Sequence, residues 1–195
     1  MRKAVQVIRM EHQALAALLR SVSLLIDRQR REGSAPAFDA LRAMLFYIDE
    51  FPEKRHHKKE TDILFPKLRA RAPLHRSLLD RLDAEHRLGE SRIRELEHAL
   101  TACEMMGDRR RAAFEDTAAQ YVDFYLSHMS LEEREVLPLA ERVLTEADWS
   151  ELDSAFLENR DALAGAEPDE EYAALFHRIV RLVPAPVGLG PAAWP

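Results

Sequence analysis

Apolar residues recur along this chain in alternating steps of three and four, regularly enough to draw four long helices. Val5, Ile8, His12, Leu15, Leu19, Val22 and Ile26 form the first stripe, the spacing that keeps one face of a helix buried. The segment GSAP at 33–36 ends it, as glycine and proline punctuate helices. A second stripe runs through Leu41, Leu45, Ile48, Pro52 and His56 and fades near Arg71 to Pro73. Pro52 predicts a kink there, because its ring removes a backbone donor and crowds the preceding turn. The third stripe is Leu82, His86, Gly89, Ile93, Leu96, Leu100 and Cys103, closed by Gly107. The fourth is Phe114, Ala118, Tyr121, Tyr125, His128, Glu132, Val136, Leu139 and Val143.

No segment alternates like a strand, so the fold class is all-α. Short connections between long helices predict an up-down-up-down four-helix bundle over residues 1–145. Residues 146–195 read as a short C-terminal helical appendage packing on that bundle. It comprises a helix at about 146–158, a loop around Gly165 to Pro168, an amphipathic helix carrying Tyr172, Leu175, Phe176, Ile179 and Val180, and an irregular tail from Pro184.

Composition narrows the function classes. The chain has 195 residues, 47% of them hydrophobic, enough for one core. Its 28 basic and 34 acidic residues are interspersed, without the basic block that tracks a phosphate backbone, so nucleic acid is not expected as a partner. No apolar run reaches membrane-spanning length and the N-terminus lacks the apolar core of a signal peptide. A soluble, cytoplasmic protein is expected. The single cysteine, Cys103, supports neither an internal disulfide nor a thiolate cluster. A metal would therefore be held by nitrogen and oxygen.

Each stripe carries one histidine where a leucine would ordinarily sit. A lone buried histidine is most simply a core residue with a satisfied hydrogen bond. These four, however, fall on one level. From His12 to Arg31 is 19 residues, and from Ala37 to His56 is 19. From His56 to Arg69 is 13, and from Leu74 to His86 is 12; from His86 to Met106 is 20, and from Arg109 to His128 is 19. Antiparallel helices retrace distance at the same rise per residue, so the four imidazoles converge on one layer. Neutral ring nitrogens in a buried layer suit a transition metal.

Carboxylates reinforce the pattern. Three HxxxE pairs occur: His56 with Glu60, His86 with Glu90 and His128 with Glu132. That spacing puts both side chains on one helical face. HHKKETDILFP at 56–66 and HMSLEEREVLP at 128–138 share the pair, an apolar doublet and a proline at a shift of 72, and EH at 11–12 recurs at 85–86. The chain thus reads as two helical hairpins in approximate repeat. Duplicated half-sites facing each other suggest two metals bridged by two carboxylates, a centre of four histidines and two glutamates.

The other polar residues rank below these. His57 lies about 100° round a regular helix from His56, opposite Met129 in the repeat, and is read as a flanking or outer-layer residue. Glu90 is within a turn of His86 and is either near the metals or a solvated flank. Tyr121 and Tyr125 are either core residues or phenols donating near the site. His75, His98 and His177 are read as peripheral. A ferritin-like alternative would use Glu53 with His56 and Glu95 with His98, but Glu95 points away from the third stripe and the scheme leaves His12 and His128 unused.

Taken together, EH on the first helix, HHKKETDILFP on the second, EH on the third and HMSLEEREVLP on the fourth resemble the hemerythrin HHE cation-binding family over residues 5–143. The resemblance implies a four-helix bundle with a carboxylate-bridged, non-haem di-iron centre. It makes His12, His56, His86 and His128 terminal ligands and Glu60 and Glu132 bridges. Oxygen-carrying members have HxxxH on the third helix, where Leu82 and Glu90 flank His86 here, and HxxxxD on the last, where this chain has Glu132 and Glu133. By that pattern a fifth histidine is missing, and the set is more similar to bacterial di-iron proteins of nitrosative or oxidative repair. Those usually begin with a cysteine-bearing segment, and here the first helix starts at once. The expectation is two iron ions, with manganese or zinc also compatible with the donors, and a small diatomic or peroxide ligand for sensing, storage or detoxification. The alternative is a metal-stabilised interaction module without redox activity. The C-terminal segment could cover the bundle end, gate the site or form a homodimer contact.

Overall fold

The computed structural model describes residues 2–158 and 170–182, which are helical almost throughout, with no strand among them. The first rod, α1 (Lys3–Glu32), buries its whole predicted stripe. Gly33 ends it with φ 63°, the left-handed geometry glycine adopts without strain. Ser34 N–H then donates to Gln29 O at 3.0 Å and Gly33 N–H to Arg30 O at 3.3 Å, satisfying carbonyls of the last turn.

The second rod is one helical run of changing pitch. It comprises α2 (Phe38–Ile48), a π-helical stretch (Asp49–His56), α3 (His57–Lys59), a second π stretch (Glu60–Leu64) and α4 (Phe65–Arg71). After a 3₁₀ turn at Pro73–His75 comes the third rod, α5 (Arg76–Met106). The fourth contains α6 (Arg111–Leu131), a π stretch (Glu132–Val136) and α7 (Leu137–Val143).

The disturbance expected at Pro52 takes the form of a widened turn. Pro52 lies inside the first π stretch, and His57 N–H donates to Pro52 O, five residues back. Pro66 and Pro138 stand just beyond the other two stretches, where Phe65 N–H reaches Glu60 O and Leu137 N–H reaches Glu132 O. A proline ring crowds the carbonyl four residues earlier and supplies no donor, and a π turn relieves both by lengthening the ring of bonds. The repeated LFP and VLP motifs therefore encode repeated π turns that begin on Glu60 and Glu132.

Between the second and third rods, Arg42 pairs with Glu104, Thr61 with Asp83 and Arg69 with Asp80. Between the first and fourth, His12 meets Glu133, Arg30 meets Glu115 and Ser34 meets Arg111. Ascending numbers on one rod meet descending numbers on the other. Two apolar clusters result, one containing Leu19, Leu41, Leu96 and Phe114, the other Ile8, Phe65, Leu79 and Leu139.

Beyond the bundle, α8 (Glu146–Leu157) starts with a reciprocal cap between Thr145 and Asp148. It buries Trp149, Leu152 and Phe156 and accepts the Ala4 N–H on Asp153 at 2.8 Å. Helix α9 (Glu170–Leu182) packs on α2 and buries Ile179. The expected loop around Gly165 and the tail from Pro184 lie outside the described residues. No helix among the described residues is long and apolar enough to cross a membrane.

Candidate metal centre

His12, His56, His86 and His128 all come to one buried layer between the two apolar clusters. They meet in pairs from neighbouring rods. His12 Nε2 lies 3.2 Å from His56 Nε2, and His86 Nε2 lies 3.1 Å from His128 Nε2. Glu60 and Glu132, each 1% exposed, stand between the pairs. Glu60 turns Oε1 to His56 Nε2 at 3.3 Å and Oε2 to His86 Nε2 at 3.5 Å. Glu132 turns Oε2 to His12 Nε2 at 3.3 Å and Oε1 to His128 Nε2 at 3.4 Å. Each carboxylate thus offers one oxygen to each pair.

The outer nitrogens explain why Nε2 points inward. His56 Nδ1 is held by Glu11 at 2.7 Å, His128 Nδ1 by Glu85 at 2.9 Å, and His12 Nδ1 by Glu133 at 3.1 Å. His86 Nδ1 meets Thr61 Oγ1 at 2.8 Å, and that hydroxyl donates onward to Asp83 at 3.1 Å. An oxygen on Nδ1 fixes the tautomer and raises the basicity of Nε2, the arrangement that ordinarily backs metal-bound histidine. The repeated EH dipeptides acquire a cross-linking logic. Glu11 holds the histidine of the second rod and Glu85 that of the fourth, while His12 and His86 are held by Glu133 and Thr61, which are equivalent at the shift of 72.

The donors fit a cation. Glu60 Oε2 and both Glu132 oxygens are buried without a hydrogen-bond partner, an expensive condition for a carboxylate unless a cation meets it. Protons supply part of that charge in the metal-free chain. Burial disfavours charge on His12, His56 and His128, yet Glu132 for the first and last, and Glu60 for the second, outweigh it, and all three bind protons more tightly than free imidazole. For His128 the value is pushed up to about 10. Burial raises Glu60 and Glu132 in turn, but the surrounding histidines bring both below the usual carboxylate range.

His57, read as a flanking or outer-layer residue, lies in the core against the histidine layer. It is 4% exposed, and its ring stacks on His86 at 4.3 Å and on Tyr125 at 5.5 Å. Its Nδ1 lies 3.2 Å from Glu53 Oε2. Burial, reinforced by His86 and His128, drives it well below the ordinary histidine range, and it stays neutral. Glu53 also accepts from Tyr121 at 3.0 Å and from Tyr125. The two tyrosines therefore address the histidine layer through Glu53 and His57. Gly89 makes room for this, since a Cβ there would overlap the Tyr125 hydroxyl and approach Glu53 Oε2 to 2.9 Å.

Glu90 is exposed and paired with Arg94 at 3.4 Å, which places it on the solvated flank. His75, His98, His177 and Glu95 are likewise exposed. The ferritin-like alternative loses its second half with Glu95 and His98 at the surface. Three groups of donors lie within 4.8 Å of one another: His12, His56 and Glu60; Glu60, His86 and Glu132; and His57, His86 and His128.

No curated protein and no solved structure matches the chain significantly. The family model described as the hemerythrin HHE cation binding domain matches residues 3–140. That span runs from the first turn of α1 into α7 and contains every donor named above, so the chain belongs to the hemerythrin HHE cation-binding family.

Proposed function

We propose that this protein holds two iron ions bridged by Glu60 and Glu132 and uses them to bind or react with a small ligand such as dioxygen, nitric oxide or peroxide. The observation that carries the reading is the pair of buried carboxylates, each with one oxygen toward each histidine pair and three of the four oxygens without a hydrogen bond. Two separate histidine pairs with shared oxygens suit two ions side by side better than one ion at the centre. His12 and His56 would serve one position, and His86 and His128 the other. Imidazole and carboxylate also accept manganese or zinc; iron is favoured by the resemblance of the motif set to the di-iron members of this cation-binding family. Iron in such a set supplies a Lewis-acidic, redox-active position for the ligand.

The protein's own contribution is orientation and exclusion. Glu11, Glu85, Glu133 and Thr61 hold the rings so that the Nε2 lone pairs face inward without reorganisation. The apolar clusters on either side keep bulk water from the layer. A cavity of about 10 Å³ lies against His12 and His56 between Leu15, Phe51 and Pro52.

Elemental analysis of protein expressed with iron supplied tests the reading, with two irons per chain expected and none as refutation. The optical spectrum of the iron-loaded protein should change on addition of azide, nitric oxide or peroxide. A zinc-loaded protein inert to all three would favour a metal-stabilised interaction module instead.

A further inference from the structure

We infer that His57 is a fifth imidazole donor, serving only the metal position of His86 and His128. The inference rests on the di-metal reading above and extends it to a residue that the histidine stripes leave out. One ring nitrogen from each of His57, His86 and His128 lies within 4.8 Å of the other two, and all three residues are buried. The His57 Nδ1 sits 3.2 Å from Glu53 Oε2, so its Nδ1–H donates to that carboxylate and the Nε2 lone pair is left for a cation. This repeats the arrangement of the other four histidines, each held at Nδ1 by an oxygen.

The support behind His57 is as built as that behind the stripe histidines. Glu53 is 3% exposed, and Tyr121 and Tyr125 both donate to its Oε1, leaving Oε2 for the imidazole. Gly89, with no Cβ, lets the Tyr125 hydroxyl reach that carboxylate. A histidine needed only to fill space would not require a buried carboxylate held by two phenols. Binding an ion requires the His57 ring to leave its stack on His86, because one ion cannot lie in the planes of two stacked rings.

The repeat makes this donor one-sided. At the shift of 72, His57 corresponds to Met129 and Glu53 to Tyr125. Met129 lines the cleft beside His12, and its thioether is a poor donor for a hard or borderline ion. One position therefore receives three imidazoles and the other two, with the same two carboxylates. The asymmetry that an HxxxH on the third rod would have supplied comes here from the second rod.

Cobalt(II) loading followed by proton NMR in water tests the assignment. Each bound imidazole whose Nδ1–H is held by an oxygen gives one exchangeable, strongly shifted resonance. Five are expected from the wild-type chain, for His12, His56, His57, His86 and His128, and four from His57→Leu. Four in the wild type, or five in the variant, would overturn the assignment of His57 while leaving the di-metal centre standing. Absence of every shifted resonance would overturn the centre and the inference together. The wild-type count stands even if the variant does not fold.

Discussion

Replacing Gly89 by alanine tests the packing on which the Glu53 and His57 arrangement depends. The new methyl would overlap the Tyr125 hydroxyl, lie 2.9 Å from Tyr125 Cζ and lie 2.9 Å from Glu53 Oε2. Both neighbours are buried, and Tyr125 is packed against Tyr121, Phe124 and His57. Overpacking of this kind costs ~1–3 kcal/mol. Moving Tyr125 away also removes a donor from a buried carboxylate, which adds ~1–3 kcal/mol. The better helix propensity of alanine returns about 1 kcal/mol. The net destabilisation is about 3 kcal/mol, a fall in Tm of roughly 6–12 °C for a chain of this size. Thermal melts of the metal-free protein by circular dichroism would read it. In a Tyr125→Phe background the overlapping oxygen is gone, and the alanine penalty should shrink by about 1 kcal/mol or more, a coupling expected of groups in contact. A neutral or stabilising Gly89→Ala, or the same penalty in both backgrounds, would refute the close approach.

Three further outcomes follow from the histidine layer. The protons held by His12, His56 and His128 must leave when a cation binds; zinc titration calorimetry near pH 7 should therefore give an apparent enthalpy that changes with the ionisation heat of the buffer, and affinity should rise with pH toward about 10, the His128 value. Because that value is raised by folding, the stability His128 contributes to the metal-free protein is complete below about pH 6.5 and is lost as pH rises toward about 10; urea titrations of apoprotein across that window check the sign. Removing the oxygen behind His128 with Glu85→Ala should weaken metal binding about 10–100-fold in a chelator competition, whereas Glu90→Gln, on the exposed flank, should leave it unchanged.

The stripe histidines were legible because each occupies a core position in a helical period, and distances to the loops put them at one height. Glu60 and Glu132 were legible through HxxxE repeated at a shift of 72. The full burial of His57 was not, because counting its angle round the helix from His56 assumes a uniform α-helical phase. The π stretch over Asp49–His56 widens the turn ahead of it and changes that phase, so the second histidine of the doublet also enters the core. Pro52, five residues earlier, was the available signal, and it suggests a bend before it suggests a wider turn. The partners of the Nδ1 nitrogens escaped for another reason: Glu11, Glu85, Glu133 and Glu53 act on residues of other rods or on the next turn, and periodicity along one helix carries no information about what crosses to its neighbour. Tyr121 and Tyr125 lay on the buried stripe, but only the packing shows that their hydroxyls converge on Glu53.

The layer of histidines also divides the interior, and that division has a mechanical meaning. The pairs His12 with His56 and His86 with His128 join residues 44 and 42 positions apart in the chain. Cations held by the two pairs would be removable cross-links that join both long loops in the folded chain only, and so would stabilise that state by mass action. They would also sit at the one level that both apolar clusters border. Local opening on either side then has to break the same joint, so amide exchange in Leu19 and Leu139, on opposite sides, should slow together on metal loading, and the two halves should behave as a single cooperative unit.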